Sequence, residues 1–274
     1  MGVLGKRALK PAGGPADFYS GSIRETRVMA IWALIILVFI FIVGGALATH
    51  LWLRSARIGG LSGFGFASAV TLLLSGFIGW VASASLGSSL SEAARANASA
   101  AAVLLIALGT SWVLVGTWRF YRPASNLAGA LSLASSLALV VAWVVLAREG
   151  RPIELSDPSL APVVLALGLA GCILWWGIES LLYYRKMARR AEIGLAEPVE
   201  CERFRLLGYG SLLIAGALAL VPLSGWVLDR VPREVPAVLV AIILLATAGA
   251  GGIISGVFAP HLFRSAPPHR DPRL

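Results

Sequence analysis

Seven apolar segments, each long enough to cross a lipid bilayer as a helix, constrain this chain more than any other feature. A membrane-spanning helix needs about 20 predominantly apolar residues. Within lipid, a single segment satisfies its own backbone hydrogen bonds only as a helix. The sequence therefore predicts an all-α integral membrane protein, a bundle of seven transmembrane helices at 28–53, 61–86, 99–118, 126–147, 161–184, 206–228 and 235–259.

The composition indicates the same class, since 58% of the residues are hydrophobic, 14% are charged and the mean hydropathy is +0.82. A net charge of +9 would suggest a nucleic-acid partner in a soluble domain. In a membrane protein, Arg and Lys instead anchor loops to anionic headgroups and set the orientation. We therefore expect the lipid bilayer as partner and no nucleic acid. The abundance of Arg, Ala and Gly is typical of GC-rich bacterial genomes and predicts the bacterial cytoplasmic membrane.

The predicted organisation is a polar N-terminal tail (1–27), the seven-span bundle (28–259) and a polar C-terminal tail (260–274). The first tail has no apolar stretch of its own, so we do not expect a cleavable signal peptide. Arg and Lys concentrate on the cytoplasmic side of membrane proteins. The side that holds the N-terminal tail carries 10 of them and the opposite side 13, which predicts an external N-terminus.

A charged connection, residues 185–205, interrupts the apolar segments between the fifth and sixth spans. Cations near the end of the fifth helix would complement its dipole, at Arg185, Lys186, Arg189 and Arg190. Gly194 suits the left-handed residue that ends many helices, and Pro198 suits the first turn of the next helix. Glu197 and its neighbouring glutamates lie where a helix start favours carboxylates. Arg203 and Arg205 follow at the membrane surface, where we expect them to reach lipid phosphates.

This charged connection is interpreted as two helix ends that project beyond the bilayer. Its charges are placed where helix electrostatics favours them, so a catalytic loop is the weaker interpretation. A docking surface for a cytoplasmic or membrane protein partner stays open as an alternative.

The stretch "LLYYRKMARRAEIGLAEPVECERFRLLG" resembles a segment of uncharacterised bacterial seven-helix membrane proteins, which carry Tyr-Tyr, a basic run, Gly-Leu-Ala-Asp-Pro and then Arg-Phe. The matching positions are Tyr183, Tyr184, Gly194, Leu195, Ala196, Pro198, Arg203 and Phe204. Glu197 replaces the Asp of that pattern, and Glu202 stands in place of an Asn. The ending "FAPHLFRS" is also similar. The resemblance implies a seven-helix bundle in a family suspected of sensory roles, and it implies no active site.

Ionisable residues deep inside a membrane are usually functional, and none lies near the middle of a predicted span. The last span has no lysine for a retinal Schiff base, and paired histidines for a haem are missing. Phosphate-binding loops, metalloprotease motifs and nucleophile elbows are also absent from the sequence. We therefore expect no catalytic, cofactor-binding or metal-binding residues, and not an enzyme.

Two ionisable residues near the span ends are candidate buried polar groups. His50 is interpreted as an interfacial histidine, with a ligand or a pH-sensitive group as the alternative. Glu179 is predicted to form a structural ion pair with a basic residue of a neighbouring helix, such as Arg205 or Arg57, or else to extend toward the membrane surface. A proton or substrate site is the alternative for this carboxylate.

Two local features predict helix packing and helix ends. Small residues every fourth position at Ala248, Gly252 and Gly256 would let the last helix approach a neighbour closely. Ser91 followed by Glu92 predicts the start of a short surface helix before the third span.

Three functional classes fit these observations. The favoured one is a non-catalytic sensory, signalling or accessory protein that acts through residues 185–205. The alternatives are a structural subunit of a larger membrane complex and a small transporter.

Overall fold

The computed structural model describes residues 61–85, 90–154, 157, 159–228 and 235–262, together with Thr49. They contain six α-helices: α1 (Leu61–Ser85), α2 (Glu92–Tyr121), α3 (Asn126–Arg148), α4 (Leu160–Glu192), α5 (Pro198–Leu228) and α6 (Pro236–Leu262). The described part of the chain has no strand. The predicted span 28–53 and His50 lie outside the described residues.

Each of the six helices is long and apolar enough to cross a membrane. These helices make the chain a multi-pass membrane protein of the all-α class. Short connections join the helices, so consecutive helices run antiparallel. The α2–α3 and α4–α5 connections therefore lie on one membrane face, and the α3–α4 connection lies on the other.

Three helices extend well beyond the predicted spans. α2 begins at Glu92, and Ser91 caps it by accepting a hydrogen bond from the amide of Ala94. The prediction of a separate surface helix here was wrong, because no Gly or Pro interrupts the Ala-rich run that joins Ser91 to the third span. α4 continues to Glu192 and α5 starts at Pro198, so most of the charged connection is helical.

α2 and α4 are the central helices of the bundle, because each of them contacts three other described helices. α2 contacts α1, α3 and α4, whereas α4 also contacts α3 and α5. Most of the buried side chains on these helices are apolar, among them Val103, Leu114, Leu139, Leu146 and Leu165. Among the six helices, α6 contacts α5 alone. The apolar residues that remain exposed on these helices are placed to contact lipid.

Glycines bring α5 and α6 into backbone contact. A Cβ built on Gly210 would lie 2.6 Å from the carbonyl oxygen of Gly249, and one built on Gly252 would lie 3.1 Å from the Cα of Gly210. Gly256 is equally close to α5, because its Cβ would lie 3.1 Å from the carbonyl oxygen of Arg203. Gly252 and Gly256 thus have the packing role predicted for them, but Ala248 is exposed and Gly249 takes its place.

Candidate functional site

The charged connection forms a helical hairpin that is longer than a bilayer requires. At 1.5 Å per residue, the 33 residues of α4 span about 50 Å and the 31 residues of α5 about 46 Å. The hydrocarbon layer is about 30 Å thick. We call residues 185–205 the charged hairpin, since its helix ends lie beyond the apolar parts of α4 and α5.

Hydrogen bonds fix the turn of the charged hairpin. Gly194 has a φ of 71°, the left-handed conformation predicted for it. Its amide donates to the carbonyl of Ala191 (3.0 Å), and the amide of Leu195 donates to the carbonyl of Arg190 (2.8 Å). This pair of bonds is the Schellman motif, which satisfies carbonyls at the end of a helix. The turn therefore joins α4 to α5 as a defined structure.

The start of α5 completes this turn. Pro198 is its first residue, where the missing amide hydrogen leaves no bond unmade. The carbonyl of Glu197 accepts from the amides of Glu200 (3.1 Å) and Cys201 (3.4 Å), so α5 is hydrogen-bonded from its first turn. The Glu197 side chain itself is exposed.

Four cations on α4 are exposed: Arg185, Lys186, Arg189 and Arg190. Positions three and four apart are neighbours on a helix surface, so the four cations are adjacent on α4. None of them forms an ion pair with another described residue. Their charges are therefore available to a partner outside this part of the chain.

The cations on α5 differ from those on α4, because both pair within their own helix. Arg203 Nη1 lies 3.2 Å from Glu200 Oε1, and Arg205 Nη2 lies 2.7 Å from Glu202 Oε2. Arg203 Nε also donates to the carbonyl of Gly256 (3.2 Å), which ties α5 to the end of α6. The two arginines predicted to reach lipid phosphates are thus engaged by carboxylates one turn earlier.

Two apolar side chains flank Gly194 at the turn. Ile193 is 70% exposed and Leu195 is 73% exposed, although both lie beyond the apolar part of α4. Exposed apolar groups surrounded by charges are a common feature of protein interaction sites. These two residues were not identified from the sequence as candidates for a protein contact. The one sequence feature that could have indicated them is an apolar residue on each side of the turn glycine.

Aromatic side chains join the base of the charged hairpin to α2. The ring of Tyr183 lies 4.7 Å from that of Phe204 and 5.9 Å from that of Tyr121, measured between centroids. Tyr121 in turn shares a hydrogen bond with Ser180 on α4, with 2.9 Å between the hydroxyl oxygens. The end of α2 is therefore in direct contact with α4 just before the charged hairpin begins, and Tyr183 continues this contact to Phe204 within it.

Glu179 forms the ion pair expected of it, but with a different partner. Its Oε1 accepts from Arg122 Nε (2.6 Å) and from Trp175 Nε1 (3.2 Å). Arg122 belongs to the α2–α3 connection, which sequence reasoning did not place beside α4. The predicted partner Arg205 is engaged by its own helix, and Arg57 lies outside the described residues. The carboxylate thus fastens the α2–α3 connection to α4.

The α3–α4 connection is fastened to the opposite end of the bundle. The amide of Ile153 donates to Ser99 Oγ (3.1 Å), and its carbonyl accepts from Trp80 Nε1 (3.0 Å). Arg151 bridges Glu149 (2.7 Å) and Asp157 (3.0 Å). The amide of Ser159 and, more weakly, Arg151 hold the pKa of Asp157 below its usual value. The α3–α4 connection thus covers its end of the bundle with the buried residue Ile153, whereas the turn of the charged hairpin at the other end is exposed.

Polar groups at depth bond mainly within their own helices. Thr110, Ser111 and Ser136 each donate to the carbonyl four residues earlier. Among the described residues, no group of three His, Cys, Asp or Glu side chains could hold a metal ion. The charged hairpin is thus the candidate functional site that the geometry distinguishes best.

Comparison of the chain with protein-family models, with curated proteins and with solved structures gives no match.

Proposed function

We propose that this chain is a seven-span protein of a bacterial cytoplasmic membrane with a non-catalytic sensory, signalling or accessory role, which it exerts through the charged hairpin. The seventh span is the predicted segment 28–53, and the resemblance of residues 183–204 to seven-helix bacterial proteins supports this count. With an external N-terminus, the charged hairpin lies in the cytoplasm.

One observation carries the proposal: a fixed turn presents exposed apolar groups beside unpaired charges outside the apolar helices. Ile193 and Leu195 form its apolar part, with Arg190 and Glu197 exposed next to them. A surface that is already ordered loses little conformational entropy when a partner binds. The turn therefore fits a soluble or membrane-bound protein that offers an apolar groove with charges at its rim.

The contacts at the base of the charged hairpin suit a sensory role. α4 is unbroken from Leu160 to Glu192, so it connects the bilayer interior directly to the turn. The Arg122–Glu179 pair and the Tyr121–Ser180 hydrogen bond attach α4 to the end of α2. A displacement of α2 or α4 within the membrane would therefore be transmitted to the turn.

The test replaces both apolar side chains of the turn, Ile193→Ser with Leu195→Ser, and compares the proteins that co-purify in mild detergent. We expect the partner to be lost, because its groove would lose its apolar contacts. Leu160→Ser is the matched control, since Leu160 is 76% exposed at the opposite end of α4. The same set of partners in all three proteins would contradict the proposal.

A second candidate, the structural subunit of a larger membrane complex, is favoured by the outward side of α6. Thr247, Gly251 and Ser255 are exposed there at intervals of four residues, and a Cβ on Gly251 would meet no atom within 4 Å. Such spacing lets a further helix approach closely. If this candidate is right, Gly251→Leu lowers the mass of the native assembly, whereas an unchanged mass excludes a partner helix at this position.

A further inference from the structure

The outer face of α4 changes from apolar to basic along a single line. Leu167, Leu174, Ile178 and Leu182 are all exposed and recur at intervals of seven, four and four residues. With 3.6 residues per turn, the next positions on this line are Arg185 and Arg189. Lys186 lies beside them on the next ridge. The three cations therefore continue the surface that faces lipid acyl chains.

The distances along α4 place these cations at the headgroups. Arg185 lies about 4.5 Å and Arg189 about 10.5 Å beyond Leu182, at 1.5 Å per residue. Each headgroup layer is about 5–7 Å deep, taken from the difference between the whole bilayer and its hydrocarbon core. With the edge of the hydrocarbon core placed at Leu182, the last apolar residue of this line, Arg185 and Lys186 lie within the headgroup layer, and the long side chain of Arg189 can reach its edge.

The direction of α4 aims the side chains toward the bilayer. In an α-helix the Cα–Cβ bonds tilt toward the N-terminus, and α4 leaves the membrane at its C-terminal end. Its cations therefore lean back toward the headgroups. α5 enters the membrane from the same side, so Arg203 and Arg205 lean away from it and meet Glu200 and Glu202. Within the charged hairpin, this difference explains why the α4 cations form no ion pair with another described residue whereas the two α5 arginines do.

We propose that Arg185, Lys186 and Arg189 form a binding site for the phosphate of an anionic phospholipid whose acyl chains lie along the Leu174–Leu182 line. Guanidinium groups bind phosphate oxygens through paired hydrogen bonds, and cations at a membrane surface attract anionic lipids. A protein at this position would have to displace lipid from the same line. The site is separate from the apolar turn at Ile193 and Leu195, so either proposal can fail without the other.

The test uses the full chain purified in detergent and measures bound lipid by native mass spectrometry, with phosphatidylglycerol and phosphatidylcholine supplied together. The protein is expected to retain phosphatidylglycerol in preference. The triple variant Arg185→Gln, Lys186→Gln, Arg189→Gln keeps good helix formers at exposed positions. Each lost cation should weaken the preference about fivefold and all three on the order of 100-fold.

Two control variants and one competition experiment test whether the charge, its position and the acyl chains are responsible. Arg205→Gln removes a cation that already pairs with Glu202, and it should leave the lipid preference unchanged. Arg185→Lys with Arg189→Lys keeps the charge and should retain most of the preference. Inorganic phosphate at millimolar concentration should not displace the lipid, because it lacks the acyl chains.

Three results would overturn the lipid site. One is an equal retention of the two lipids by the unmodified protein. Another is displacement of the lipid by inorganic phosphate alone, which would indicate a site for a free anion. The third is a triple variant that keeps the lipid preference but loses a co-purifying protein, which would assign these cations to an acidic protein surface.

Discussion

Arg122 and Glu179 form an ion pair of unequal exposure, since the arginine side chain is 50% exposed and the carboxylate only 9%. The pair joins the α2–α3 connection to α4 just before the charged hairpin begins. Because the carboxylate is the buried partner, loss of the arginine is the more damaging change. An uncompensated buried charge costs more than the pair itself contributes.

We therefore predict that Arg122→Gln destabilises the protein by about 1–3 kcal/mol, in the range for a buried group left without its partner. Glu179→Gln should cost less, because a neutral amide can still accept from Trp175. The double variant should be more stable than Arg122→Gln alone. Thermal unfolding in detergent, followed by tryptophan fluorescence, measures the change in stability of each of the three variants. If the effects of the two single variants simply add up in the double variant, Arg122 and Glu179 do not interact.

Gly194→Ala should destabilise the turn of the charged hairpin by about 1–2 kcal/mol, since a left-handed residue with a Cβ is strained by that amount. A Cβ at this position would meet no atom within 4 Å, so the cost is purely conformational. Gly171→Ala is the control, because it adds a Cβ in open space within the helical part of α4 and should be neutral or stabilising. Hydrogen exchange of residues 190–201 provides the measurement, and equal protection in the two variants would exclude the strain.

Gly249→Ala should separate α5 from α6 at a cost of about 1–3 kcal/mol, as is usual when a well-packed interface is overfilled. The added Cβ would lie 2.6 Å from the carbonyl oxygen of Gly210, and a backbone atom cannot move aside as a side chain can. Gly251→Ala on the outward side of α6 should have no such cost. A cysteine pair across α5 and α6 that crosslinks equally in both variants would argue against this interface.

Acid should weaken the α3–α4 connection through Asp157. Its folded pKa is lowered by the amide of Ser159 and by Arg151, so its stabilising effect is present above the unfolded pKa and is lost as the pH falls through the folded pKa. An unperturbed aspartate has a pKa of about 3.9, so the stabilisation that Asp157 contributes should begin to be lost below about pH 4. The stability difference between the unmodified protein and Asp157→Asn should be largest at neutral pH and should vanish in acid. A difference that does not change between pH 7 and pH 3 would contradict this role.

Much of the fold could be predicted from the sequence, because it depends on properties of short segments and single residues. Apolar length located the helices, and the turn residues Gly194 and Pro198 occupy the positions that their backbone preferences favour. The helix limits were less accurate, because hydropathy ends at the membrane surface whereas a helix continues until its hydrogen bonds are interrupted. Glu192 and Glu92 lie in α4 and α2 for this reason.

The candidate site could be predicted only in part, because its contacts join distant segments. The charged residues were visible in the sequence, but which cations are unpaired depends on the direction in which each helix crosses the membrane. The partner of Glu179 is 57 residues away in sequence, so no local pattern could have indicated Arg122. The exposure of Ile193 and Leu195 likewise depends on how the turn meets the rest of the bundle.

The unbroken course of α4 has a mechanical consequence. A rod of about 50 Å that pivots by about 5° about one end moves its other end sideways by about 4 Å. Small changes in membrane thickness alter helix tilt at little energetic cost. The tilt of α4 would thus convert a slight change in the surrounding lipid into an ångström-scale movement of Gly194 and its neighbours.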